Sequence, residues 1–393
     1  MAEIIYLDHA ATTATHEAVV ADMIPYMHNQ FGNPSSAYEL ASDNRRAVED
    51  ARERIAASIG TKRENIYFTS GGTESDNWAL CGIAKANKTK GRHIITSKIE
   101  HHAILHTCEY LESEGFEVTY LDVDEWGIVK LEQLKRAIRR DTILISIMFA
   151  NNEIGTIQPI KEIGKIAKEH GILFHTDAVQ AFGQLPIHVD EYGIDLLSAS
   201  GHKIYGPKGI GLLYVREGVE IQPLMYGGAQ ERKKRAGTEN VPGIIGLAKA
   251  VSLMEENREE KQEKLRFLRN HLITRTLQEI PYARVNGDIT NRLAGNANFC
   301  FQFIEGESLL IMLDMENVCA SSGSACTTGQ KSASHVLLAI GLPDEVARGS
   351  LRLTIGEENT IEEIDMVVDK MKEIIAKLRE ASEEYEKIAN PVS

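Results

Sequence analysis

Between about residue 60 and residue 215, short apolar runs alternate with amphipathic stretches, and this alternation constrains the fold more than any other feature. Parallel strands need a crossover between them, so repeated strand–helix units build a largely parallel sheet covered on both faces. The candidate strands are Ile66–Thr69, His93–Thr96, Val118–Leu121, Thr142–Phe149, Ile172–His175, Asp195–Ala199 and Gly211–Val215. Among the amphipathic stretches, Ile160–His170 sets Ile160, Ile163, Ile166 and Ala167 on one helical face. The charged segment Ser252–Ile280 reads as one long, mostly exposed helix leaving this domain. It is followed by the alternating run Ala297–Phe303, a Gly/Ser-rich loop Ser321–Gly329, a strand-like run Ser350–Ile355 and a periodic helix Ile361–Leu378. A chain of 393 residues therefore reads as a large α/β domain followed by a smaller α+β domain.

Composition narrows the function. A net charge of −14 argues against a nucleic-acid backbone or an anionic membrane surface as the main partner. No stretch approaches the roughly 20 apolar residues of a membrane span. The first residues, with acids at Glu3 and Asp8 and no basic run, do not read as a signal peptide. Five cysteines without CxxC spacing suit neither a disulfide framework nor a zinc site, so a reducing cytoplasm is expected.

In open α/β sheets ligands bind beyond the carboxyl ends of the strands. After Ile66–Thr69 comes Ser70-Gly71-Gly72-Thr73-Glu74-Ser75, a Gly-rich turn that would aim N–H groups at a phosphate; the bland alternative is a turn capped by Thr73. The next strand leads to His101-His102, where an imidazole can stack on a planar cofactor and move protons, or simply cap a helix. His102 and His106 are spaced i, i+4, but no third metal ligand accompanies them. Asn151-Asn152-Glu153 follows a further strand. Asp177 at a strand end can hold a pyridinium nitrogen, or serve as an ordinary turn residue, with Gln180 three residues on. In Ser200-Gly201-His202-Lys203, Lys203 can form an imine with an aldehyde, although most lysines are solvated charges. Phosphate cradle, stacking base, carboxylate and lysine on one sheet edge make a coherent site for pyridoxal 5'-phosphate (PLP).

With these segments in order, the sequence closely resembles the cysteine desulfurase family, PLP enzymes of fold type I in the class V aminotransferase group. The resemblance covers nearly the whole chain. It runs through Tyr6-Leu7-Asp8-His9-Ala10-Ala11-Thr12-Thr13, Phe31-Gly32-Asn33-Pro34-Ser35-Ser36, Thr69–Ser75, Asn151-Asn152-Glu153-Ile154-Gly155, Ser200–Lys203 and Arg235-Ala236-Gly237-Thr238-Glu239-Asn240. It implies a large domain over residues 16–259 with a mostly parallel seven-stranded sheet, and a small domain from residues 1–15 and 260–393. By the same likeness Lys203 carries PLP, Asp177 pairs with the pyridine nitrogen, His101 stacks on the ring, Gln180 bonds the ring hydroxyl and Asn152 lies near ring and substrate. Gly72, Thr73, Ser200 and His202 would hold the phosphate, joined by Thr238 from the partner subunit of a homodimer.

The family's short nucleophile loop matches Ser321-Ser322-Gly323-Ser324-Ala325-Cys326, which implies Cys326 as the sulfur-accepting thiol, a ligand to a metal cluster only transiently. Its small and polar neighbours suit an exposed, mobile thiol. Cys81 and Cys108 fall in helical patterns, Cys300 in an alternating run, and Cys319 at a strand end. Arg352 matches the family's substrate-carboxylate arginine, a role its bidentate fork suits; alternation alone would make it a solvent-facing strand residue. The segment Thr327–His335 lacks the Leu-Glu-Pro common before Ser-His, which bears on loop dynamics or acceptor choice, and Tyr385–Ser393 does not resemble the longer tail that housekeeping members turn towards a scaffold protein. The implied reaction converts L-cysteine to L-alanine and passes sulfur to an acceptor, such as an iron–sulfur scaffold protein or the tRNA thiolation route. The alternatives are a selenocysteine lyase, another class V PLP enzyme, or a non-catalytic sulfur-transfer scaffold.

Overall fold

The computed structural model describes residues 4–322, 333–382 and 385. Its strands are β1 (Ile5–Tyr6), β2 (Ile66–Thr69), β3 (His93–Ser97), β4 (Glu117–Leu121), β5 (Thr142–Ser146), β6 (Leu173–Asp177), β7 (Leu196–Ser200), β8 (Gly211–Val215), β9 (Ala283–Val285), β10 (Asn296–Phe301), β11 (Val318–Cys319) and β12 (Ser350–Thr354). Seven form the main sheet, in the order β2-β8-β7-β6-β5-β3-β4. Pairs from β7 to β4 are parallel, whereas β8 lies antiparallel between β2 and β7.

The burial of this sheet explains its sequence. Successive residues point to opposite faces, and both faces are covered: Ile145, Leu197 and Leu212 join one apolar cluster, their neighbours Leu144, Leu196 and Leu213 another. The strands therefore read as continuous apolar runs. The expected strand Thr142–Phe149 ends at Ser146 by regular pairing. Its extension still bonds to β6, from Ile147 N–H to His175 O and from Phe149 N–H to Asp177 O.

The expected single helix Ser252–Ile280 is instead two, Val241–Glu255 and Arg258–Glu279. Asn257 breaks them apart in the left-handed conformation at φ 53°, a region asparagine tolerates. Periodicity did not register the break because both flanks are helical.

The antiparallel sheet β12-β10-β9 carries a further apolar cluster with Leu7, Leu268, Leu272, Phe299, Leu353 and Val368. Cys300, Leu293, Val336 and Leu337 instead join the apolar cluster of the main sheet. Segment 7–13 links the two sheets. After β1 pairs with β11, Leu7 O accepts from Thr354 N–H at 2.7 Å, and the chain then runs to the loop after β7, where Thr13 N–H donates to His202 O at 2.9 Å.

Candidate active site

The carboxyl ends of β2, β3, β5, β6 and β7 open on one edge of the main sheet, because these strands run in one direction. Lys203 ends a single 3-10 turn that follows β7. Its Nζ donates to Ala10 O at 2.5 Å and to Ala11 O at 2.6 Å, so segment 7–13 closes directly over the amine. Gln180 is buried and donates from Nε2 to the same Ala10 carbonyl at 3.0 Å. His202 Nδ1 lies 3.1 Å from Thr12 Oγ1. Burial first, and then the charges of Lys203 and Lys208, lower the His202 imidazole to about 4, so it is neutral at pH 7.

Asp177 is the last residue of β6 and is buried. Burial raises its carboxyl to about 6, against the opposing pull of the Val179 N–H bond and the Lys203 charge. On the same face of the sheet lies a polar line that sequence reasoning missed. Ser146 Oγ sits 2.9 Å from His175 Nδ1, and His175 Nε2 sits 3.0 Å from Ser198 Oγ and 3.7 Å from Asp76 Oδ1. Burial lowers His175 to about 3, so the ring is neutral. Burial, and then the Asp177 charge, push the Asp76 carboxyl well above its usual range. Two adjacent buried carboxyls do not both ionise easily, and Asp76 is the better place for a proton. Its only signal in the sequence was a polar residue on an otherwise apolar helical face.

The turn after β2 opens the helix Gly72–Asn87. Gly71 has φ +154°, and a Cβ on Gly72 would stand 2.6 Å from Val179 Cγ2 and 3.8 Å from Ser200 Cβ. The backbone here lies hard against the β6 and β7 loops, leaving N–H groups and the Ser200 side chain around the helix start. Thr73 is exposed on the first turn. Glu74 accepts from Ser70 N–H at 2.8 Å and takes both arms of Arg235, at 2.8 and 3.0 Å, which braces the turn.

His101 caps a helix, one of the two roles the sequence left open. Its Nδ1 accepts from Ala103 N–H at 3.1 Å as the cap of the helix His102–Ser113, while burial, and then the Lys203 charge, lower it to about 4. The ring is thus neutral and close to Lys203. His102 stacks with His106 at 5.0 Å between centroids, and its ring lies 4.9 Å from that of His335. Beneath them Glu100, buried, accepts from Met148 N–H and Ser97 Oγ, and burial raises it to about 8.

Arg352, in the middle of β12, is not solvent-facing: it is 4% exposed. Its Nη1 donates to Asn152 O at 3.1 Å and its Nη2 to Asp8 Oδ1 at 2.8 Å, while Nε is buried without a partner among the described residues. Nearby Glu153 accepts from Ser334 Oγ at 2.5 Å and is raised by burial to about 7. Cys81, Cys108 and Cys300 are buried, and burial raises the thiol pKa of each, as it does that of the half-buried Cys319. None of these is an activated thiol. Thr238 is exposed in the turn ahead of the helix Val241–Glu255. Cys326 lies outside the described residues.

The donor set fits PLP. The close approach at Gly72 shapes an anion cradle, Lys203 provides an amine beside a buried carboxyl, and the orphaned Nε of Arg352 awaits an acceptor. Residues 5–367 match the family described as Aminotransferase class-V. A relative from Methanosarcina thermophila named "Cysteine desulfurase IscS" is 58% identical over 378 residues, covering 96% of this chain and 93% of its own. The solved structure titled "NIFS-LIKE PROTEIN" superposes with a TM-score of 0.90 at 37% identity, over 95% of this chain and all (100%) of that one. The structure titled "SspA in complex with cysteine" gives a TM-score of 0.79 at 40% identity, over 91% of this chain and 100% of its own.

Proposed function

This chain belongs to the class V aminotransferase family and is a cysteine desulfurase, and on that premise we propose that it binds PLP at Lys203, takes sulfur from L-cysteine and leaves L-alanine. The strongest support is the convergence of Lys203, Gln180 and Arg352 on one short segment, with Ala10 accepting from the first two and Asp8 from the third.

Bound at this edge, PLP supplies an electron sink for charge developed at the substrate Cα. Asp177 would hold the pyridine nitrogen, Gly72, Thr73, Ser200 and His202 would hold the phosphate, and His101 would face the ring. Arg352 and Asn152 receive the substrate carboxylate. The Lys203 amine removes the Cα proton, and the neutral imidazole of His101 takes the proton of the substrate thiol. The Cys326 thiolate then attacks that sulfur: an S–S bond forms, and the C–S bond breaks with its electron pair left on the carbon. The protons held by His101 and Lys203 return to Cβ and Cα to give alanine, and a persulfide remains on Cys326. Residues 16–259 form the cofactor-binding domain, and residues 1–15 with 260–393 the domain that carries Cys326. The working unit is a homodimer in which the exposed Thr238 of one subunit reaches the phosphate of the other. The persulfide passes to an acceptor protein of the cytoplasm, such as an iron–sulfur scaffold.

The test starts with purified protein, a borohydride-reducible visible chromophore, and alanine and sulfide released on adding cysteine. Selenocysteine and an amino-acid/keto-acid pair serve as competing substrates. Cys326→Ala should keep the chromophore and lose persulfide formation; sulfur release at the parental rate would refute Cys326 as nucleophile.

A further inference from the structure

A guanidinium that waits in a buried pocket for an anionic substrate needs a counter-charge while it waits. Left alone, it is an uncompensated charge out of water. Arg352 has such a counter-charge in Asp8, whose Oδ1 stands 2.8 Å from Nη2. The two side chains differ in freedom: that of Arg352 is 5% exposed and that of Asp8 18%. Arg352 is further fixed by the Asn152 carbonyl, and its position on β12 is paired with β10 through Asn298.

The backbone of Asp8, by contrast, is pinned independently of its carboxylate. Its carbonyl accepts from Ala11 N–H at 2.9 Å and from Tyr6 Oη at 3.1 Å. The carboxylate can therefore leave Arg352 without unthreading the segment. The other acid near Arg352, Glu153, is bonded to Ser334, whereas Asp8 forms the ion pair with the guanidinium, so Asp8 supplies the paired charge.

We propose that Asp8 is an internal stand-in for the substrate carboxylate, a positioning residue that neutralises Arg352 between turnovers, yields it to the amino acid, and reclaims it as alanine leaves. The proposal rests on Arg352 as the carboxylate receptor. Nε, which has no partner among the described residues, and Nη2 once Asp8 withdraws together offer the two donors a carboxylate takes in bidentate form. Because cysteine and alanine carry the same α-carboxylate, Asp8 opposes both equally, raising the KM of one and the inhibition constant of the other by one factor. Its return also speeds product departure.

The experiment uses PLP-loaded holoenzyme and reads cysteine KM, kcat and the inhibition constant of L-alanine. Asp8→Asn keeps the shape and removes the competing charge. The expected result is a fall of about three- to tenfold in both KM and the alanine constant, by the same factor, the range for a partly buried charged pair. The visible spectrum of the holoenzyme should not change. Asp8→Ala should shift both constants in the same direction. A structural defect does not tighten product binding, so unchanged or weakened alanine binding in Asp8→Asn overturns the proposal. Arg352→Gln is measured beside it. If that variant leaves both constants unchanged, the carboxylate role of Arg352 has failed; if it raises them while Asp8→Asn does not lower them, only the role of Asp8 has failed.

Discussion

The Nζ of Lys203 donates to the Ala10 carbonyl at 2.5 Å, which ties the amine proposed to carry the cofactor to a segment nearly two hundred residues away in sequence. The amine is therefore aimed before any ligand arrives. Lys203→Ala should abolish the reducible visible chromophore and lower alanine formation from cysteine by at least about a hundredfold, the usual scale for a lost general base. Lys203→Arg should behave alike, since a guanidinium keeps the charge but neither condenses with an aldehyde nor releases a proton near neutral pH. Absorbance and alanine assays decide both.

Gly72→Ala tests the cradle. The new Cβ would sit 2.6 Å from Val179 Cγ2, so Val179 and the loop after Asp177 must give way. Cofactor affinity should fall about tenfold or more, with the far-UV spectrum unchanged, since Ala suits a helix better than Gly. Fluorescence titration of the apoprotein with PLP measures it.

The stability of the apoprotein should fall as pH rises above 6.5. Glu100 and Glu153 titrate at about 8 and about 7 when folded against 4.5 when free. The native state therefore keeps protons that the unfolded chain has released, and this stabilisation is lost as pH rises through 7 and 8. His101, His175 and His202, lowered to about 4, 3 and 4 from 6.5, act oppositely, but their contribution is complete once pH passes 6.5. Below that the two sets offset; above it the acids alone remain. Glu100→Gln should flatten the fall by up to about one proton in the pH slope of unfolding free energy. An unchanged slope in denaturant titrations from pH 6.5 upward would mean that Glu100 is ionised in the folded chain.

Asp76→Asn should be tolerated, because burial and the Asp177 charge favour the protonated form of this carboxyl, and an amide replaces that form in shape. Asp76→Ala leaves Ser198 and His175 facing an empty space and should cost about 1–3 kcal/mol. Chemical denaturation of the two variants, side by side, measures the difference.

Much of this was legible in the sequence, and the misses have physical causes. β2 and β8 fell at their observed bounds because β-branched and apolar residues there end abruptly at glycine or a turn. The strand-end residues Asp177, Ser200 and Lys203 were legible because the edge of a parallel sheet is set by strand direction alone. The antiparallel setting of β8 was not, since a strand reads the same in either direction. Asp8 and Asp76 were passed over because their roles depend on partners far away in sequence: Arg352 is 344 residues from Asp8, and His175 is 99 from Asp76. Arg352 had been read two ways, and only burial separates a surface residue from one held in a pocket.

The segment that passes from Leu7 to Thr13 has a consequence for how the protein is made. Ala10 donates its N–H to Thr354 Oγ1 and offers its carbonyl to Lys203, so residues synthesised early must wait for a strand synthesised late. On a ribosome the main sheet, whose strands end at Val215, can form while β12 is still unmade. Lys203 then lacks its cover, and Arg352, the proposed carboxylate receptor, does not yet exist. A nascent chain can therefore hold a nearly finished scaffold without being able to process an amino acid, and chemistry begins only when translation has passed residue 354.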